Sequence, residues 1–280
     1  MAGVEAFVPE LTAATIMRTI ENNLIAKQIC TTEYTGEIKQ AGDTVHFAGL
    51  LDPTIAAYVD ASGLTYERLI SSDIPLLIDK QDSFAFTVKD VEAVQSKGDL
   101  KSSQTARAAY GLANACDAYI LGLYAQAGLT AVTDATVDTA TVLGDIGLLS
   151  QRLEEVNVMD KVIVIPPWIK LKLQLAGIKF QVANGIKGQT GLQWTNDLGF
   201  DMYVSNNLYE AGTVSAHVTS VIACSRNAIA FADQLVKTRA MERENYFDIA
   251  VSGLHVYGAK VVKPNELVVG TFTEAAETAI

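Results

Sequence analysis

The sequence predicts an α+β protein, and three observations predict it. Two long apolar arms rich in β-branched and aromatic residues flank a polar turn, one helical stripe is unusually long, and the closing stretch has a two-residue period. At 280 residues the chain can hold one large domain or two interleaved ones with a real core. Its 49% apolar and 19% charged residues are the balance of a folded chain, not of a disordered one. A mean hydropathy of +0.21 is high for a monomer, so surface left over from internal burial is expected to be hidden against partners. The formal charge of −11 argues against gripping phosphates in a groove, and so against sequence-specific DNA binding, but not against enclosing DNA.

Residues 10–26 carry Ala13, Ile16, Met17, Ile20 and Leu24 at helical spacing. Phe7, Val8 and Pro9 precede them as an extended segment with nothing local to pack on. This arm docks either on its own molecule's core or on a neighbour. Residues 44–59 and 64–78 form the two apolar arms around Asp60-Ala61-Ser62-Gly63, which is turn chemistry. Val45, Phe47, Ile55, Tyr58, Val59, Tyr66 and Ile70 favour strands, while Pro53 and Pro75 suit an edge ribbon better than a central strand. At about 3.3 Å per residue each arm reaches roughly 50 Å. A two-stranded ribbon is marginal alone in water, so either a third strand of its own domain or an adjacent subunit must cover it.

The strongest helix is expected over 99–127. Leu112, Cys116, Tyr119, Ile120 and Leu123 share one face, with Lys101, Arg107, Asn114 and Asp117 on others. At 1.5 Å per residue it would be about 42 Å long, the length of a spine. Gly111 and Gly122 weaken it, and a turn at Gly128 ends it. The Thr- and Asp-rich stretch 129–141 reads as a linker or exposed loop. A helix over 142–156 leads to a strand at 162–165, which Pro166 and Pro167 stop before a short helix through Leu175. A loop bearing Gly185, Gly188 and Gly191 follows, then strands at 200–204 and near 218–223, and a short helix at 226–233. Long strands are expected over 235–242, 247–262 and 267–272, with a turn at Pro264-Asn265. Ile249, Val251, Gly253, His255 and Tyr257 alternate with Leu254, Val256 and Gly258, leaving apolar groups on both faces of a buried strand.

Catalytic patterns are missing. His46, His217 and His255 are isolated, without the clustered spacing of metal ligands. No GxSxG elbow surrounds a serine, and residues 185–191 lack the GxxxxGK[ST] of a phosphate loop. Cys30, Cys116 and Cys224 lie far apart and read as small apolar core residues of a chain folded in a reducing cytoplasm. Glu154-Glu155 and the cluster Arg239, Glu242, Arg243, Glu244 read as solvated or inter-subunit charge pairs. The longest uncharged stretches, 118–133 and 211–225, are too short and too polar to span a bilayer, so no membrane partner is expected. The expectation is no catalytic, cofactor or metal site.

The order of an arm, a ribbon, a spine helix, a mixed domain and closing strands resembles the plan of Hong Kong 97-type major capsid proteins of tailed double-stranded DNA phages. In that plan residues 1–43 are the N-arm, 44–80 the E-loop, and 81–141 the peripheral domain with its spine helix. Residues 142–234 are the axial domain, and 235–280 hold the return strands of the peripheral domain and the C-terminus. "FVPELTAATIMRTIENNLIAKQI" (7–29) resembles the arm, "GDTVHF" (42–47) the entry to the E-loop, and "GFDMYVSNNL" (199–208) the axial domain. "NYFDIAVSGLHVYGAKVVKPNELVVGTF" (245–272) resembles the final strands.

The resemblance implies a structural protein, not an enzyme, that assembles with itself into pentamers and hexamers of an icosahedral shell. It implies a virion capsid built in the host bacterial cytoplasm, enclosing DNA without reading it, with a portal protein as a further partner. Subunit contacts are expected at Val45, Phe47, Tyr58, Tyr66, Arg68 and Ile70 of the E-loop and at Phe7, Val8, Ile16 and Ile20 of the N-arm. Some members carry a fused scaffolding segment ahead of the arm; here the arm begins at Met1, which implies a separate scaffolding protein. Others crosslink through an E-loop lysine, but no lysine lies between Lys39 and Lys80. Shell strength is therefore expected from noncovalent contacts, with a decoration protein as a candidate partner. The rival readings are an encapsulin-like nanocompartment shell, which shares the fold, and an enzyme with an unfamiliar site in the mixed domain.

Overall fold

The structure, a computed structural model, describes residues 25–32, 44–50, 55, 71–89, 100–177, 181–182, 194–195, 199–213, 216–242 and 248–274. In chain order these form α1 (Ala26–Ile29), β1 (Thr44–Leu50), β2 (Ser71–Leu77), β3 (Lys80–Lys89), α2 (Leu100–Leu121), β4 (Leu129–Val137) and α3 (Val142–Glu155). There follow β5 (Lys161–Ile165), α4 (Pro167–Leu175), β6 (Gln181–Val182), β7 (Trp194–Thr195), β8 (Phe200–Val204) and β9 (Glu210–Thr213). The chain closes with β10 (Ala216–Ser225), β11 (Ile229–Glu242), β12 (Asp248–Val261) and β13 (Leu267–Glu274). Residues 10–24 of the expected helix, the ribbon tip at 60–63 and the glycine loop at 185–191 lie outside the described residues.

β5 carries Val and Ile at successive positions and is buried at every residue, which requires cover on both faces. It sits inside a mixed sheet of order β4-β13-β10-β5-β8-β7-β6, with β9 also paired to β10. On one face Ile163, Ile165, Phe200, Met202, Val221 and Phe272 pack against Ile146, Leu149 and Leu153 of α3 and Ile169 and Leu173 of α4. On the other, Val162, Val164, Tyr203, Ile222 and Cys224 meet Ala109, Leu112, Ala113, Cys116 and Ile120 of α2. Those α2 positions recur at three- and four-residue spacing, as an amphipathic spine must. α2 also packs on β3 and β12 of a second, three-stranded antiparallel sheet of order β11-β12-β3. None of the described helices is long and apolar enough to cross a membrane.

Three expectations are corrected. Residues 129–137 are a strand, not a linker: β4 runs parallel to β13, and its Val and Thr residues fit a pleated surface. Only 138–141 is a turn there, with Asp138 Oδ1 accepting the N–H groups of Ala140 at 2.9 Å and Thr141 at 2.8 Å. These bonds hold the Asp138 carboxyl below its ordinary pKa. The helix expected at 226–233 is a turn followed by the start of β11, which pairs with β12 from Ile229↔Val261 onward. Tertiary pairing there overrides a weak local preference. The spine is α-helical only to Leu121, then tightens into a 3₁₀ turn over Gly122–Gln126, beginning at the glycine that weakens it. β4 and β13 belong to the larger sheet, and β11 begins inside the 142–234 segment yet pairs only in the smaller one.

Candidate assembly surfaces

Among the described residues β1 and β2 form a two-stranded antiparallel pair, in register from Thr44↔Leu77 to Leu50↔Ser71. Pro75 lies opposite His46, and an edge ribbon tolerates it because its missing N–H faces no third strand. Val45 and Phe47 pair across to Leu76 and Ile74. Tyr58, Tyr66, Arg68 and Ile70 lie outside the described residues, as do Phe7, Val8, Ile16 and Ile20. Ile55, the one described residue between 51 and 70, is 96% exposed. The ribbon's root is inside: Leu76 and Ile78 are fully buried with Ala230, Ala232 and Val256.

The arm ends in a seat on its own molecule. Ile25, Ile29 and Cys30 are buried in the core shared by α2 and both sheets. The Ile25 N–H donates to Asp117 Oδ2 at 3.3 Å. Thr31 makes a parallel bridge, donating to the Ile229 carbonyl at 2.9 Å and accepting from Phe231 N–H at 3.0 Å. Both alternatives for the arm's cover thus begin from an own-molecule anchor at 25–32.

Arg226, in the turn between β10 and β11, ties this seat to the larger sheet. Its Nη2 donates to Asp201 Oδ2 at 2.6 Å, its Nη1 to the Gln28 carbonyl at 3.0 Å, and its Nε lies 3.2 Å from Asp160 Oδ2. Burial alone would lower the guanidinium's pKa, but the bond to Asp201 and the neighbouring acidic groups outweigh it and leave the pKa raised. The three cysteines, distant in sequence, meet in the same core. Burial first, then the other two thiols, push the Cys30 thiol well above its usual range, and burial pushes Cys224 to about 12. Thiols so placed are inert.

The remaining polar clusters are structural ties. Lys161 donates to Ser150 Oγ at 2.7 Å and to Glu154, pinning β5 to α3 and holding the Glu154 carboxyl below its ordinary pKa. The buried Lys172 donates to the Val137 carbonyl at 2.9 Å, joining α4 to the end of β4. His255 and Asp233 face each other at 3.4 Å, both enclosed, with no room for a substrate. Among the described residues no group of three or more His, Cys, Asp or Glu could hold a metal ion. Arg226, Ile25, Ile29, Gly258 and Lys260 escaped the sequence reading. Only Gly258 carried a signal, as a glycine inside a strand.

The phage capsid protein family matches residues 74–270. The fold is similar to that of a protein of Mycobacterium phage Che8, at 27% identity and a TM-score of 0.69 over 89% of this chain and 90% of that one. It is also similar to the capsid of cyanophage P-SCSP1u, at 15% identity and a TM-score of 0.63 over 89% and 87%. A virus-like particle from Pyrococcus furiosus shares the fold at 12% identity and a TM-score of 0.60 over 94% and 99%. No curated protein matches the chain. The mixed helix-and-strand fold is that of Hong Kong 97-type capsid proteins. The chain belongs to the phage capsid protein family and is a major capsid protein, a structural component of the virion shell.

Proposed function

We propose that copies of this protein form pentamers and hexamers and close an icosahedral shell around the double-stranded DNA of a tailed phage. The observation that carries the reading is the ribbon. Among the described residues no third strand pairs with β1 or β2, while the ribbon's root is sunk in its own core. A ribbon of that kind needs cover, and another copy supplies it. Val45, Phe47, Tyr58, Tyr66, Arg68 and Ile70 are the E-loop side of that contact. Phe7, Val8, Ile16 and Ile20 are the arm's contacts with adjacent subunits. Apolar burial at about 25 cal/mol per Å² drives the contact, opposed by the entropy of ordering the ribbon.

The axial domain, residues 142–234, lies at the ring centre. Assembly takes place in the host cytoplasm with a scaffolding protein and a portal protein. Maturation rearranges the same noncovalent contacts, and a decoration protein adds to their strength. Deleting residues 50–72 leaves a subunit with native circular dichroism that fails to form shells under electron microscopy. Intact shells from that variant would refute the E-loop assignment. The second reading is a nanocompartment shell of the same fold. Shells purified with nuclease-protected DNA favour the phage, and shells filled with a single enzyme favour the compartment.

A further inference from the structure

The root of the ribbon is a close-fitting seat. Leu76 and Ile78 are 1% and 0% exposed, wedged among Ala230, Ala232 and Val256. Between them the ribbon's backbone crosses β12 at Gly258. A Cβ at that position would stand 2.6 Å from the Leu77 carbonyl oxygen and 3.0 Å from Ile78 Cα. Both are backbone atoms that cannot swing aside, so only glycine admits the crossing. Two residues along β12, Lys260 Nζ donates to the Pro75 carbonyl at 2.9 Å and braces the ribbon from its exposed side. Pro75 contributes a fixed φ at the same point. Immediately beyond, the chain enters β3, which pairs with β12 from Lys80↔Tyr257 onward. The ribbon is therefore clamped on both sides of Leu77 within four residues.

We propose that this seat aims the ribbon in the free subunit, with Gly258 and Lys260 as positioning residues for assembly. The inference rests on reading the ribbon as the E-loop. A pre-aimed ribbon meets its neighbour without first losing orientational freedom, which is the usual gain of preorganisation. The geometry gives the sensitivity. Relieving a 2.6 Å contact to ordinary packing takes about 1 Å of displacement, which over a root about 5 Å across is a tilt on the order of 10°. The seven residues of β2 span about 23 Å, so that tilt carries the far end of the described ribbon about 4 Å sideways. That exceeds what a packed contact between subunits tolerates.

The test uses the full chain with Gly258→Ala, Gly258→Val and Lys260→Met, beside the 50–72 deletion. Paired spin labels on Ile55→Cys in the ribbon and Gln151→Cys on the exposed face of α3 report the ribbon's direction. Circular dichroism and melting report the fold, and electron microscopy counts shells. The expected result is a folded Gly258→Ala subunit whose label distance moves by several ångström and whose shell yield falls at least tenfold. Lys260→Met, which touches only an exposed brace, should broaden the distance distribution and lower the yield less. An unmoved label distance in the Gly258 variants overturns the proposal, and so does a moved one with wild-type yield. If Gly258→Val does not fold, Gly258→Ala and Lys260→Met still decide the matter. Shells formed by the deletion variant would instead remove the E-loop reading itself. A shell-less deletion beside normally assembling, mis-aimed Gly258 variants would remove only the aiming seat.

Discussion

Replacing Ile29 with Ala tests whether the arm root opens as a unit of its own. α1 has four residues and no side-chain cap, too short to persist without tertiary contacts. It is held by the burial of Ile25, Ile29 and Cys30, by the Thr31 bridge and by the bond from Arg226 to Gln28. Ile29 is 0% exposed, so truncation removes three fully packed carbons and costs about 2–4 kcal/mol. If the arm root opens separately, that energy falls on its local equilibrium. At about 1.4 kcal/mol per factor of ten, its open population rises roughly 30- to 700-fold. Cys30 reports it, being closed at 8% exposure and unreactive until released. Iodoacetamide labelling at constant pH, read site by site by mass spectrometry, should show Cys30 accelerating far more than Cys224. Phe272→Ala is the control: it empties the opposite face of the larger sheet, and should raise all three cysteines together through global unfolding. Equal acceleration of all three in Ile29→Ala would refute a separately opening arm root.

Alkaline pH should destabilise the fold. Cys30, Cys224 and Tyr257 all have raised folded pKa values, Cys224 to about 12 against a reference of 9.0, with burial the largest cause. The folded state keeps protons that the unfolded state releases, so stability is full below about pH 8.5 and falls above it by up to about 1.4 kcal/mol per pH unit per group. Urea midpoints from pH 8 to 10.5 should decline, and Cys224→Ala should flatten part of the slope; a level profile contradicts the burial argument. Lys172→Ala should cost about 2–4 kcal/mol in urea unfolding, because it leaves both a void and an unpaired Val137 carbonyl. Lys172→Met fills the void and should cost less than half as much. Arg226→Lys should lower the melting temperature nearly as far as Arg226→Ala, since one ammonium cannot span Asp160, Asp201 and the Gln28 carbonyl together.

Periodicity made the local elements legible and left the pairings hidden. α3 and β5 fall within a residue of their expected spans, and β8 falls on its own, because each is long or apolar enough to announce its period. β4 was missed because its Thr and Asp residues look like a loop until β13 lies beside it. The start of β11 was missed because its alanines suit a helix until β12 supplies a ladder. The pairing of 44–50 with 71–77 was legible, since β-branched and aromatic residues around Pro75 suit an edge pair. The ribbon's seat was not, because Gly258 meets Leu77 from 181 positions away in the chain, and no local pattern encodes such a meeting. The arm seat was hidden for the same reason: Gln28 and Arg226 are 198 residues apart.

The anchors keep the bases of the ribbon and the arm within the chain's own fold. Ribbon and arm each leave the body from a fully buried root, Leu76 and Ile78 for one and Ile25 and Ile29 for the other. The two roots adjoin the same stretch of β11, with Ala230 and Ala232 packed under the ribbon while Ile229 and Phe231 bond to Thr31 of the arm. Alternate residues of one strand therefore hold the two extensions, on its side chains and on its backbone edge. Small residues at Ala230 and Ala232 keep the distance between the roots short. Enlarging either would press on Leu76 and Ile78, which pack directly against the pair, and overpacking at so tight a seat is destabilising.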